Sequence, residues 1–309
     1  MKFNRPGFLR LSTAAKAIGV ATASFTTFAL GADHSGSDNV AAEPLSVPRA
    51  QQYDITSKIN GLKYRVMVST PRNADPGKRY PVFYLLDGNW YFMPAAESDS
   101  AADPGLLAAI FVGIGYPSDD GAEISRRRAF DLTPPGKLKD FFGSKAGGAD
   151  DFIRVLLQEI KPLVETHYQV DQERQIIYGK SLGGLLVLHL LFVHPEAFQT
   201  YIAASPAIYW DNSSVLTGEK DFTQKIKTRN LRLKVLITSA SEEQYRGSDP
   251  KLQAEEIYRM VDNASELASR LATASPQNLS VTYAIFPDET HNSVSLASLG
   301  RALYFALKP

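Results

Sequence analysis

The segment IIYGKSLGGLLVLHLL, residues 176–191, carries the clearest structural signal in the chain. A run rich in β-branched and aromatic residues leads into Gly179-Lys180-Ser181-Leu182-Gly183, and a long apolar run follows. These five residues fit the pattern G-x-S-x-G, which places a serine on a sharp turn between a strand and a helix. A structural glycine turn would fit the same residues, but the strand pattern before them and the helix pattern after them favour a nucleophilic Ser181.

Short apolar runs recur along the rest of the chain. Runs that are apolar at every position are typical of strands covered on both faces, as in parallel sheets. They occupy residues 81–86, 106–115, 174–179, 200–205, 234–240 and 281–286, after an alternating strand pattern at 62–68. Helical spacings of three and four lie between several of them, at 150–168, 252–271 and 293–307. The sequence therefore predicts an α/β fold with a mainly parallel sheet and helices on both faces.

Two segments fit neither pattern, residues 115–148 and 210–228. Long connections of this kind in a compact domain are often functional. We expect them to lie over the carboxyl edge of the sheet, where α/β proteins bind ligands.

The amino terminus differs from the rest of the chain. Residues 1–31 hold basic residues, then a small and apolar run, with no acidic residue, which predicts a secretory signal peptide; an ordinary N-terminal helix is the alternative. Residues 32–50 are predicted to be a flexible leader and 51–309 a catalytic domain. We therefore expect an exported protein, periplasmic or secreted.

Charge and composition narrow the function. The chain has 33 basic and 33 acidic residues, and the predicted signal peptide holds four of the basic ones, which leaves a net charge near −4 without it. Such a chain lacks the basic face that nucleic-acid binding requires. Cysteine is absent, which excludes disulfides and thiolate metal sites. No later segment approaches the roughly 20 apolar residues of a membrane span.

A serine nucleophile needs a base, and five histidines are candidates. His34 lies in the leader, His189 in an apolar helix, and His167 and His194 at helix ends, where capping or surface roles are ordinary. His291 follows the last predicted strand in a polar loop, which matches the order serine, acid, histidine of hydrolase triads. We therefore predict His291 as the base.

The acid of such a triad is expected after the strand at 234–238. Glu242, Glu243 and Asp249 lie there, and Asp288 lies near His291. A buried carboxylate at this place would orient the imidazole and stabilise its cation. Glu243 is the preferred candidate, and Asp249 and Asp288 remain open.

An oxyanion hole needs two backbone donors. The N–H of Leu182, at the start of the predicted helix, is one candidate. The second is expected in the loop LLDGNWYF, from Gly88 or Asn89, while Asp87 is expected to brace that turn.

Several longer blocks resemble one family: VFYLLDGNWYF, FVGIGYP, RRRAFDLTPP, the segment around GKSLGG, and FPDETHNSV. They are similar to the esterase D-like branch of the α/β-hydrolases, and within it to the trilactone siderophore esterases that open ferric enterobactin, salmochelin or bacillibactin. The resemblance implies an α/β-hydrolase fold with Ser181 as nucleophile, His291 as base and Glu243, rather than Glu242, as acid. A Ser181–His291 dyad without an acid is the alternative, because some siderophore esterases work in that way. It implies no metal and no cofactor, because iron arrives only within the substrate. The sequence departs from the family at Lys180, where a histidine is usual.

A ferric tris-catecholate is a trianion, so basic side chains are candidates for binding it. We expect Arg126, Arg127, Arg128 and Lys180 to contribute, with Trp210 as an aromatic wall; a solvated basic run and ordinary packing are the alternatives. The sequence thus predicts an exported serine esterase acting on a small-molecule ester. A carbohydrate-ester esterase and a non-catalytic ligand-binding protein are the alternatives, and the oligomeric state stays open.

Overall fold

The computed structural model describes residues 47, 49–98, 105–141, 143–229, 231–244 and 258–309. The predicted signal peptide at 1–31, and the predicted leader apart from residues 47, 49 and 50, lie outside these ranges. Among the described residues, no helix has the length and apolar character needed to cross a membrane.

Eight strands form the main sheet, and a short hairpin forms a second one. In chain order they are β1 (Ala50–Thr56), β2 (Lys63–Ser69), β3 (Tyr80–Leu85), β4 (Ile110–Gly115), the hairpin strands β5 (Asp140–Phe141) and β6 (Ser144–Lys145), β7 (Val170–Lys180), β8 (Thr200–Ala204), β9 (Leu233–Ala240) and β10 (Leu279–Phe286).

The main sheet has the order β1-β2-β4-β3-β7-β8-β9-β10. The pairs β1–β2 and β2–β4 are antiparallel, and every other pair is parallel. Strands β3, β4 and β8 are buried at every position, as their uninterrupted apolar runs predict. Strand β1 was not predicted, because its sequence AQQYDIT is largely polar and belongs to an edge strand with exposed side chains.

The helices connect the strands and cover both faces of the sheet. They are α1 (Gly88–Glu97), α2 (Gly121–Asp131), α3 (Ala149–Val155), a π-helical turn (Leu156–Ile160), α4 (Lys161–His167), α5 (Leu182–Val193), the short α6 (Trp210–Ser213), a 3-10 turn (Ser214–Gly218), α7 (Glu219–Thr228), a 3-10 turn (Ser241–Glu243), α8 (Met260–Ala274) and α9 (Val294–Leu307).

Each face of the sheet has its own core. Helices α1 and α9 cover one face, where Phe92 and Leu303 pack with Tyr178 and Leu236. Helices α5, α7 and α8 cover the other, and α5 is apolar around most of its circumference because it lies between the sheet and α7.

The carboxyl ends of the parallel strands lie at one edge of the sheet. The chain leaves β3, β7, β9 and β10 there, so the segments that follow these strands meet at that edge. Of the two segments that fit neither sequence pattern, residues 115–148 contain α2 and the hairpin, and residues 210–228 contain α6, the adjoining 3-10 turn and α7. The carboxyl edge therefore contains all the loops that carry predicted catalytic residues.

Candidate active site

Ser181 lies between β7 and α5 in a strained conformation. Its φ and ψ are 58° and −117°, a sparsely populated combination for a residue with a side chain. The N–H of Ser181 donates to the Ala204 carbonyl at 3.0 Å, and its own carbonyl accepts from Leu185 at 2.9 Å and Ala207 at 3.1 Å. The backbone around Ser181 thus holds this residue in a conformation that costs about 1–3 kcal/mol.

The glycines around Ser181 differ in how strictly they are required. A Cβ at Gly179 would lie 2.3 Å from the Gly183 carbonyl oxygen, and one at Gly184 would lie 2.9 Å from the Ala204 oxygen. A Cβ at Gly183 would meet Asp87 Oδ2 at an ordinary 3.4 Å. The close approach of helix to strand therefore depends on Gly179 and Gly184 more than on Gly183.

His291 and Glu243 form a hydrogen-bonded pair. His291 lies in the loop between β10 and α9, and Glu243 ends the 3-10 turn that follows β9. Nδ1 of His291 lies 2.7 Å from Oε1 of Glu243. The other oxygen, Oε2, accepts the N–H of Ala240 at 2.9 Å, and the Glu243 side chain is 0% exposed. This bond uses Nδ1 and leaves Nε2 for proton transfer.

The other candidate acids that the structure describes make no hydrogen bond or ion pair with His291. Glu242 is exposed and accepts a hydrogen bond from Ser241 Oγ at 3.1 Å. Asp288 is also exposed, and Asp249 lies outside the described residues. Among the candidates that the structure describes, Glu243 alone has the contact that a triad acid requires.

The remaining described histidines bond away from this loop. His167 bonds the Leu163 carbonyl, His189 bonds Asp150, and His194 lies 3.5 Å from Glu196. His34 lies outside the described residues.

Ser181 lies at the same edge of the sheet as this pair because of the order of the strands. Strand β7, which ends beside Ser181, is separated from β9 only by β8, and β10 follows β9. Within the described residues Ser181 Oγ makes no hydrogen bond to His291; such bonds are often long before substrate binds. The three side chains thus belong to loops at one edge of the sheet, after β7, β9 and β10.

The predicted oxyanion donors lie at two helix starts. Leu182 is the first residue of α5 and Gly88 the first of α1, where N–H groups have no acceptor within the helix. A Cβ at Gly88 would lie 2.7 Å from the Gly113 carbonyl carbon, so glycine allows α1 to pack on β4. The Asn89 side chain bonds both backbone groups of Tyr116, at 2.9 and 2.8 Å. The Asn89 side chain is therefore structural, and only its N–H is a candidate donor.

The three consecutive arginines of α2, predicted to bind substrate, have three different environments. Arg126 is exposed. Arg127 donates to Asp131 at 3.3 Å and to the Lys63 carbonyl at 3.2 Å. Arg128 binds Asp87 through two hydrogen bonds of 2.8 Å. A helix places neighbouring residues about 100° apart, which is why adjacent arginines find different partners.

Lys180 is buried beside the nucleophile. It is 5% exposed and makes no ion pair within the described residues. Burial lowers the pKa of its ammonium group to about 8, and the Glu243 carboxylate opposes this decrease. Lys180 therefore places an ammonium group, which loses its proton more readily than an ordinary lysine, near the acid of the predicted triad.

Trp210 does not line the site as expected, because it is 1% exposed and packs in the core. Trp90, in contrast, is 45% exposed, and its ring lies 5.3 Å from the Arg128 guanidinium.

The rings of Tyr209 and Tyr258 lie 4.4 Å apart. Burial raises the pKa of Tyr209, whereas Arg128 acts in the opposite direction. Tyr258 was not predicted, because no motif marks it, whereas Asp87 braces its turn as expected.

Comparison with known proteins places this chain in a family. The family model described as "Putative esterase" matches residues 57–282. The chain is 36% identical over 274 residues to the ferri-bacillibactin esterase BesA of Bacillus subtilis, covering 85% of this chain and 91% of that protein. It is 33% identical over 278 residues to the siderophore triacetylfusarinine C esterase of Aspergillus fumigatus, covering 84% of this chain and 94% of that protein.

A solved structure leads to the same assignment. The fold is similar to that of the BES protein from Bacillus cereus, with a TM-score of 0.76 and 32% identity over 87% of this chain and 99% of that chain. The chain therefore belongs to this esterase family, and it is a hydrolase of ester bonds with the α/β-hydrolase fold that its sequence predicts.

Proposed function

We propose that this esterase opens the ester bonds of a catecholate siderophore trilactone through an acyl-enzyme on Ser181. The observation that carries the mechanism is the buried Glu243 hydrogen-bonded to His291 at the sheet edge that also bears the strained Ser181. A carboxylate in this position keeps the proton of the imidazole on Nδ1, so that Nε2 is the basic nitrogen.

The reaction proceeds in two halves. His291 takes the hydroxyl proton of Ser181 while Oγ attacks the ester carbonyl carbon, and the negative oxygen binds the N–H groups of Leu182 and of Gly88 or Asn89. The bond from carbon to the alcohol oxygen breaks, and His291 returns the proton to that alcohol. His291 then takes a proton from water as the water oxygen attacks the acyl carbon. The bond from carbon to Ser181 Oγ breaks, and His291 returns that proton to Oγ, which releases a carboxylic acid and free Ser181.

Two features of this chain support an aromatic, anionic substrate. The exposed ring of Trp90, and the Tyr209–Tyr258 pair, offer flat faces for aromatic groups. Lys180 brings positive charge to the same edge of the sheet, and Arg128 keeps three N–H donors beyond the two that bind Asp87. The names of the relatives, which include esterases of ferri-bacillibactin and triacetylfusarinine C, support a siderophore in particular.

Export completes the proposal. The basic and apolar pattern of residues 1–31 supports a secretory signal peptide, which would bring the enzyme to the compartment where iron complexes enter the cell. Mass spectrometry of the secreted or periplasmic protein would identify its amino terminus, and a cytoplasmic protein that retains residues 1–31 would contradict export.

Product analysis tests the substrate. The protein is incubated with ferric enterobactin, a feruloyl ester and an acetylated sugar, with the Ser181→Ala variant as control, and the products are identified by mass. We expect linearised enterobactin from the wild type and none from the variant. Cleavage of the sugar or feruloyl esters alone would overturn the siderophore proposal, and absence of Ser181 labelling by a fluorophosphonate would overturn the mechanism.

A further inference from the structure

Asp87 has a left-handed backbone directly before the predicted oxyanion donors. Its φ and ψ are 54° and 45°, a conformation that favours glycine. Its carbonyl accepts the N–H groups of Trp90 at 2.9 Å and Tyr91 at 3.2 Å, which starts α1 at Gly88. The backbone of Asp87 therefore sets the direction in which the N–H groups of Gly88 and Asn89 point.

Arg128 holds the Asp87 side chain from a distant segment. Nε of Arg128 donates to Oδ1 and Nη2 to Oδ2, both at 2.8 Å. The two side chains are 16% and 2% exposed, so solvent screens this pair weakly. A bidentate contact of a guanidinium with a carboxylate fixes the orientation of both groups.

The same carboxylate lies against the nucleophile turn. Asp87 Oδ2 is 3.4 Å from the place where a Cβ at Gly183 would stand, two residues after Ser181. The pair thus connects α2, the start of α1 and the start of α5. The starts of α1 and α5 carry the predicted oxyanion donors.

Docking of α1 does not depend on this pair. Asn89 binds Tyr116 through two hydrogen bonds, and Gly88 packs on β4 at Gly113. What remains for Arg128 is the local orientation of Asp87. Two of its five N–H donors bind Asp87, which leaves the two of Nη1 and the second one of Nη2 for any contact with substrate.

We propose that Arg128 is a positioning residue for the oxyanion hole. It acts through Asp87, whose left-handed backbone aims the N–H of Gly88 or Asn89 at the carbonyl oxygen of an ester attacked by Ser181. This inference rests on the proposed serine mechanism and adds a role that the triad does not require.

The test uses p-nitrophenyl acetate, an uncharged ester that needs no anion-binding residue. In the Arg128→Gln and Asp87→Asn variants we expect kcat to fall about 100-fold, as when one oxyanion donor is lost. KM should stay within about threefold, because the substrate gains these contacts mainly in the transition state. Arg128→Lys, which keeps the charge without the fork, should lie between wild type and Arg128→Gln.

Arg154→Gln is the matched control, because it removes an exposed arginine that binds Asp151 at 2.6 Å on helix α3. A second readout is inhibition by phenylboronic acid, whose tetrahedral serine adduct occupies the oxyanion hole. Its inhibition constant should rise in proportion to the loss in kcat for Arg128→Gln and stay unchanged for Arg154→Gln.

The outcomes separate the two proposals. Wild-type protein that neither hydrolyses p-nitrophenyl acetate nor reacts with a fluorophosphonate would overturn the serine mechanism itself. An active wild type with equal kcat in Arg128→Gln and Arg154→Gln would overturn only the positioning role. A loss of kcat that merely follows the unfolded fraction, with an unchanged boronate constant in folded Arg128→Lys, would likewise assign Arg128 a structural role.

Discussion

His291 Nδ1 lies 2.7 Å from Oε1 of Glu243, a carboxylate with no solvent exposure. The contact joins the loop after β10 to the turn after β9, and Ala240 N–H holds the other carboxylate oxygen. Because the charge is buried and its orientation is fixed, it acts on the imidazole at close range. This relationship distinguishes Glu243 from its exposed neighbour Glu242.

Replacing Glu243 with glutamine tests this assignment. The amide keeps the shape of the side chain but removes the charge that stabilises the imidazolium, so kcat should fall by about 10² to 10⁴ in ester hydrolysis. Glu242→Gln removes an adjacent exposed charge and should leave kcat near the wild-type value. No loss in Glu243→Gln would point to a Ser181–His291 dyad, and equal losses in the two variants would contradict the distinction between the two carboxylates.

The glycines of the nucleophile turn should tolerate alanine unequally. At Gly179 a Cβ would lie 2.3 Å from backbone, so Gly179→Ala should lower the free energy of unfolding by about 3 kcal/mol or prevent folding. At Gly183 the nearest atom is 3.4 Å away, and Gly183→Ala should remain close to the wild type in stability. Urea unfolding compares the two variants. A larger loss of stability in Gly183→Ala than in Gly179→Ala would contradict the spacing around these two glycines.

Lys180 should cost stability at neutral pH. Its pKa of about 8 in the folded protein lies below the ordinary lysine value of 10.5, so the folded state disfavours the charged form. Below pH 8 the full cost of burying the ammonium is present, and it is relieved as the pH rises from 8 to 10.5. Lys180→Met should therefore raise the free energy of unfolding by about 2 kcal/mol at pH 7.

Urea unfolding at pH 7 and pH 9.5 measures this difference, which should shrink at the higher pH. Lys234→Met, at an exposed position of β9, is the control and should show no comparable pH-dependent gain. If Lys180→Met were less stable than the wild type at pH 7, the contacts of Lys180 would outweigh the cost of burying its charge.

Arg127 should matter for stability. Its partner Asp131 is fully buried, and burial raises the pKa of that carboxyl to about 6, although Arg127 opposes the shift. Arg127→Met leaves this carboxylate without its cation and should lower the free energy of unfolding by about 2–4 kcal/mol at pH 7. Arg126→Met, at an exposed position of the same helix, should change it by less than about 0.5 kcal/mol. Similar unfolding midpoints in urea would contradict the difference between these neighbours.

Much of the architecture follows from local patterns. Uninterrupted apolar runs predicted the buried strands β3, β4 and β8, and the turn at Ser181 was predicted because small residues flank a serine between a strand and a helix. The polar edge strand β1 escaped prediction, since few of its side chains are buried. The spacing of apolar residues indicates which side chains are buried, and an edge strand buries few side chains.

The partners of charged groups could not be predicted in the same way. Arg128 and Asp87 are 41 positions apart, and His291 and Glu243 are 48 apart. The local sequence around one residue of such a pair does not indicate its partner. The sequence alone determined the fold class, the strained turn at Ser181 and a histidine loop after the last strand, because these depend on neighbours along the chain. Only the packing of distant segments decided which arginine binds Asp87, which carboxylate contacts His291 and whether Trp210 faces solvent. Packing alone brings such groups within hydrogen-bonding distance.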